Sequence, residues 1–215
     1  MTVIKTNQAW DEVLDFWFPE RRASNVDAQA HRAHWLWRMQ GGADSEIIAR
    51  FSGLTERAAR GGLDHWAPKA HGRLALIIIL DQFSRSVWRD DARAYAQDNC
   101  ALSLVVKGFQ NGHYSSLETP WSQIVYGLPL GHCEGPDHLQ RLDQLITLRE
   151  AIVAAAPVPL QPIYSSLVDQ ARDVRKIIEA FGRHPHRNGV LNRRSTAAEE
   201  TYIAKGRFPH RSAFL

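Results

Sequence analysis

The sequence predicts an all-α fold, a single domain of antiparallel helix pairs with about eight or nine helices. Three observations predict it. Apolar residues recur at three- and four-residue spacing along most of the chain, no stretch of useful length alternates as a half-buried strand does, and Gly or Pro separates the periodic segments at short intervals.

Trp10, Val13, Leu14 and Trp17 stand at i, i+3, i+4 and i+7. That is the buried stripe of a first helix, which Asn7 is placed to cap and Pro19 to stop. Residues 25–39 read as a second helix, with His31, His34, Trp35 and Arg38 on a half-exposed face and Gly41-Gly42 at its end. Asp44 suits the cap of a third, whose apolar stripe is Ile47, Ile48, Phe51 and Leu54 before Gly61-Gly62. Residues 74–80, LALIIIL, are apolar all round, so periodicity alone leaves strand and helix open, and the helical surroundings decide for helix. Asp81, Gln82 and Arg85 come next, where that core helix ends, placed to face the floor of a pocket.

Asp90 or Asp91 is expected to cap the next helix, turning Tyr95, Cys100, Leu102 and Val106 inward as far as Gly108. Thr119-Pro120 then opens a short helix over 121–126. Residues 128–140, LPLGHCEGPDHLQ, interrupt regular structure with two prolines and two glycines while presenting His132, Cys133, Glu134, Asp137 and His138. From Pro136 onward Leu139, Leu142, Leu145 and Ile152 keep helical spacing up to an interhelix linker at 156–162, APVPLQP. Tyr164, Leu167, Val168, Ala171, Val174 and Ile178 form the strongest amphipathic pattern, which Gly182 ends. Thr196 with Glu199 three residues on predicts a capping box and a last helix, with 206–215 as a short tail.

A chain of 215 residues can bury a sizeable core, and 44% hydrophobic with 23% charged residues is the composition of a soluble globular protein. The two cysteines, Cys100 and Cys133, form neither a CxxC pair nor a disulfide framework, which fits a reducing compartment. MTVIKTNQAWDEV lacks the apolar centre of a signal peptide, and the 74–80 run is far shorter than the about 20 residues a bilayer requires. A cytoplasmic location without membrane partners is expected. A net charge of +3 is too small for nonspecific nucleic-acid binding, and no nucleic-acid module is recognisable. The 21 arginines against 5 lysines fit directional pairing with anions, or a GC-rich genome.

Chemistry concentrates in residues 181–200, FGRHPHRNGVLNRRSTAAEE, where no acid intervenes between Ala180 and Glu199. Pro185, Asn188-Gly189 and the capping box make this a shaped loop, and its guanidinium forks match carboxylate or phosphate oxygens. With the other two polar clusters it suggests an anion pocket. Arg183, Arg187 and Arg85 would bind the anion, with Asn188, Asp81 and Gln82 as further ligand-binding groups. His186 or His132 would move a proton, with Glu134 fixing the tautomer. Three competing chemistries are weaker. A metal held by His184-x-His186 with His132, Glu134 or His138 would be repelled by the arginines, so no metal and no cofactor is assigned. A nucleophilic Cys133 needs His132 to face it, which adjacent residues seldom do. A buried ionic network joining helix ends would leave a non-catalytic scaffold for a peptide or protein partner.

Four stretches, VLDFWFPE at 13–20, LALIIILDQFSRS at 74–86, LPLGHCEGPDHLQ at 128–140 and the cationic loop, resemble successive motifs of the bacterial domain-of-unknown-function-924 family across nearly the whole chain. The resemblance implies a helical, tetratricopeptide-like fold and no assigned activity. It is carried in the polar motifs by Asp81, Gln82, Arg85, His132, Glu134, Arg183, Pro185, His186, Arg187 and Asn188. The chain departs from the family pattern at Ser84 (proline in the pattern), Ser86 (asparagine), Cys133 (serine) and His184 (phenylalanine). No self-similarity appears at the tetratricopeptide period of about 34 residues. One short echo does: GRHPHR at 182–187 returns as GRFPHR at 206–211.

Overall fold

The computed structural model describes residues 9–23 and 25–209, and among them every regular element is helical. The expected Asn7 cap and the tail beyond Pro209 lie outside the described residues. The α-helices are α1 (Asp11–Trp17), α2 (Ala28–Met39), α3 (Asp44–Ala59), α4 (Ala70–Ile77), α5 (Ser84–Val87), α6 (Asp98–Gln110), α7 (Pro120–His132), α8 (His138–Ala155), α9 (Gln161–Phe181) and α10 (Ala197–Ala204). A π-helical segment, Ile78–Phe83, joins α4 to α5. Taken as one run, residues 70–87 bring the total to nine helices among the described residues.

That run is the axis of the core. Leu74 through Ile79 are at most 1% exposed, and α1, α3, α6 and α7 pack around it. All-round burial explains why its composition shows no amphipathic stripe. Later helices stack antiparallel. Arg141 donates to the Leu130 carbonyl and His138 to that of Gly131, while Arg175 pairs with Asp143 and Arg172 with Glu150. Gly131 permits the close approach of α7 and α8, since a Cβ there would stand 3.0 Å from Leu145 Cδ2. Gly182, at φ +70°, ends α9 in the left-handed conformation that a C-terminal glycine supplies.

Several local expectations are corrected. Asp44 is the first residue of α3, not its cap; the buried stripe is Ile47, Phe51, Thr55 and Ala58, and Ile48 is 48% exposed. Asp91 caps only a 3-10 turn, Ala92–Ala94, and α6 starts at Asp98. The later start changes the helix phase, so Ala101 and Val105 turn inward and Cys100 and Val106 turn out. Residues 128–132 do not break regular structure: α7 continues through Pro129 to His132. Proline there forfeits one backbone bond in a last turn whose carbonyls find other donors. Thr196 and Glu199 form the full capping box of α10 that their spacing predicts. No described helix is long and apolar enough to cross a membrane.

Candidate functional site

A cleft of about 940 Å³ opens between the axis helix, the end of α7, the α8–α9 pair and the loop after α9. Gln82, Arg85, Ser86 and Arg89 face it from one side of the axis run, His132 from the last turn of α7, and His184, His186 and Arg187 from the loop.

Asp81 lies behind this surface, fully buried, within the π-helical segment. A π turn inserts one residue into the helical ladder and rotates the residues after it, and such turns recur at functional sites. Both carboxylate oxygens of Asp81 stand 2.9 Å from His132 Nδ1. A carboxylate only accepts, so Nδ1 carries the proton and Nε2 is the free nitrogen of the neutral ring. His132 lines the cleft with 31% of its side chain exposed, and no described residue bonds its Nε2. Gln82 also donates to Asp81. Burial pushes the Asp81 carboxyl upward, but the electrostatic pull of His132 and Arg85 and the bonds from His132 and Gln82 outweigh it and hold it well below the usual carboxylate range.

Arg85 links this pair to the next. Its Nη1 donates to the Asp81 carbonyl and lies 3.4 Å from Oδ1, and its Nη2 bonds Asp98 Oδ1 at 2.8 Å. The other oxygen of Asp98 takes Arg187 Nη1 at 3.0 Å. Both guanidiniums lie over the Tyr95 ring, Arg187 at 4.4 Å and Arg85 at 5.4 Å from its centre. Burial would lower the Arg85 pKa, but the carboxylates of Asp81 and Asp98 raise it; burial and the charge of Arg85 pull that of Arg187 down. Arg187 Nε is buried with no acceptor.

The remaining predicted residues serve the loop itself. Arg183 forms a two-point ion pair with Glu199, at 2.7 and 2.8 Å, and adds a bond to the Arg194 carbonyl. Glu134 accepts the His184 backbone N–H at 2.7 Å and a fork from Arg193, and Arg193 in turn bonds Asn188 Oδ1 at 3.0 Å. Arg183, Glu134 and Asn188 therefore staple the loop and do not line the cleft. The carboxylate at His132 Nδ1 is that of Asp81, while Glu134, foreseen beside an imidazole, meets Arg193 and the His184 backbone. His138 and His184 both donate through Nε2 to the Gly131 carbonyl, at 3.0 and 3.1 Å, so the buried C-terminal turn of α7 is capped by two imidazoles. Burial first, then the charges of Arg141 and Arg187, lower His138 to about 4; burial and Arg187 push His184 well below its ordinary value. Both shifts favour the neutral ring. His186 does reach the cleft, its ring 5.4 Å from that of Phe208.

Cys133 is buried, its thiol donating to Asn99 Oδ1 at 3.1 Å, and burial raises its pKa. This is an inert thiol. Among the described residues, no group of three or more His, Cys, Asp or Glu is arranged to hold a metal ion. Reading the sequence missed the pairing of Asp98 with Arg85 and Arg187, 13 and 89 residues away, that of Arg193 with Glu134, 59 residues away, and the place of Tyr95 under both guanidiniums. No local pattern marks such pairings.

Fold and cleft together define an all-helical protein with a buried carboxylate paired to a half-exposed imidazole beside an arginine-rich hollow. The chain belongs to the family described as bacterial protein of unknown function (DUF924), whose model matches residues 13–207. It is similar to the solved structure of a protein of unknown function, ATU0120, from Agrobacterium tumefaciens. The identity is 28%, the TM-score 0.68, and the match covers 92% of this chain and 97% of that one. No curated protein matches the chain.

Proposed function

We propose that the cleft binds a small anionic molecule and that His132 exchanges a proton with it. The observation that carries this reading is the Asp81–His132 pair, with both carboxylate oxygens on Nδ1 and Nε2 left to the cleft. Nε2 would accept a proton from the bound molecule, and the ionised Asp81 would stabilise the imidazolium that results; the reverse transfer makes His132 the acid. Arg187, with a donor lacking an acceptor, supplies the anion contact, while Arg85 is occupied in holding Asp81 and Asp98. Gln82 and His186 contribute further polar groups to the wall.

A thermal-shift screen of carboxylates, phosphates and amino acids, with calorimetry on each hit, tests the binding. Hits should weaken on Arg187→Met substitution. A screen in which no anion raises the melting temperature would leave a helical scaffold for a peptide or protein, which a pull-down with the same variants would then address.

A further inference from the structure

The cleft is chemically two-sided. Beside the polar groups of α5, α7 and the loop, the wall built by α8 and α9 is mostly aliphatic, lined by Leu145, Leu167, Ala171, Val174 and Ile177 with Gln170 as its neutral polar residue. One buried cation interrupts it. Arg149, on α8, is 3% exposed and lines the cleft; its Nη1 donates to the Leu167 carbonyl and its Nε meets no acceptor. No described carboxylate pairs with it, and burial alone draws its pKa down to about 10.

Of the other arginines lining the cleft, only Arg38 also lacks an ion pair and leaves buried donors, Nε and Nη2, without acceptors. Arg85 and Arg187 share Asp98, Arg89 pairs with Asp44, and Arg38 is held over the Trp17 and Trp35 rings with Glu20 in its field. A guanidinium removed from water without a counter-charge is costly. An anion arriving in the cleft would remove that cost.

We propose that Arg149 is a second anion-binding residue of the cleft, so that the ligand is an elongated molecule with an anionic group at each end and an aliphatic span lying along α8 and α9. This rests on the reading of the cleft as an anion site. One end would meet Arg187 near His132, the other Arg149, and the middle would cover the aliphatic wall.

The test is calorimetric titration of the full chain with straight-chain dicarboxylates from succinate to suberate, against monocarboxylates of matched length. Some dicarboxylate length should bind about ten- to a hundredfold tighter than its monocarboxylate, the increment of one further charge-assisted hydrogen bond. Arg149→Met should erase that increment, bringing the dicarboxylates to the affinity of their monocarboxylates, and melt above the wild type without ligand. Equal affinities in the two series, or an increment that survives Arg149→Met, overturns the assignment of Arg149 while leaving the anion cleft standing. If neither series binds the wild type, the cleft reading and this one fall together. Should the Met variant not fold, Arg149→Gln and the length dependence of the wild type decide the same question.

Discussion

Asp81 reaches His132 across 51 residues of sequence, and both of its oxygens stand 2.9 Å from one imidazole nitrogen. The carboxylate is buried and the ring half-exposed, so the pair has a fixed side and an open side. The same carboxylate receives Arg85 and Gln82, which ties the tautomer of His132 to the π-helical segment of the core axis.

Asp81→Asn removes the charge from the middle of this arrangement and leaves Arg85 with one carboxylate partner. Breaking a buried ion pair from one side costs about 3–5 kcal/mol. Urea denaturation should show a loss of that order, and any anion-dependent proton uptake measured in buffers of different ionisation heat should vanish. A variant as stable as the wild type would show that Asp81 does not anchor His132 and Arg85.

Acid should destabilise the fold through His138 and His184. A base whose folded pKa is depressed contributes stability that is complete above its unfolded value of 6.5 and is lost as pH falls toward its folded value, about 4 for His138. The span for His138 alone corresponds to about 3 kcal/mol. Melting temperatures should therefore drop steeply between pH 6.5 and 4, and His138→Asn, which keeps a donor for the Gly131 carbonyl, should flatten that drop.

Arg187→Lys should bind anions about tenfold more weakly and should not be rescued by its retained charge. An ammonium cannot lie flat on Tyr95 while bonding Asp98, as the planar fork does. Calorimetry against the wild type checks this, and near-equal affinity would remove the planar fork from the explanation.

Arg183→Ala should lower the melting temperature by a few degrees while leaving anion affinity within twofold of the wild type, about the error of such comparisons. Its guanidinium is spent on Glu199 and the Arg194 carbonyl. A large loss of affinity would bring Arg183 back among the ligand-binding groups.

Thiol titration of the native protein should find one reactive cysteine, the exposed Cys100, and a second only after unfolding, since Cys133 is buried and hydrogen-bonded. Rapid native modification of both would contradict the inert assignment.

Much of this architecture was legible in the residues. The stripe of α9 and its Gly182 stop, the capping box of Thr196 and Glu199, and the helical reading of 74–80 arise from interactions within about one turn, which local sequence encodes. The phase of α6 was not legible, because a 3-10 turn at Ala92–Ala94 delays its start and releases Tyr95 to the cleft. Nor was the continuation of α7 through Pro129, in a last turn whose Leu130 and Gly131 carbonyls take donors from α8 and the loop.

The sequence by itself determined the helices, the cationic loop and the kinds of polar side chain available: guanidinium, imidazole and carboxylate. Only the tertiary structure decided which of them meet. Arg183 turned to Glu199, Glu134 to Arg193 and Asp81 to His132, and Arg149 was left without a carboxylate on the aliphatic wall. The reason is that helix periodicity and capping act within a few residues. Charge pairing acts through space, and the stacking of α7, α8 and α9 against the core axis sets which charges share a low-dielectric hollow.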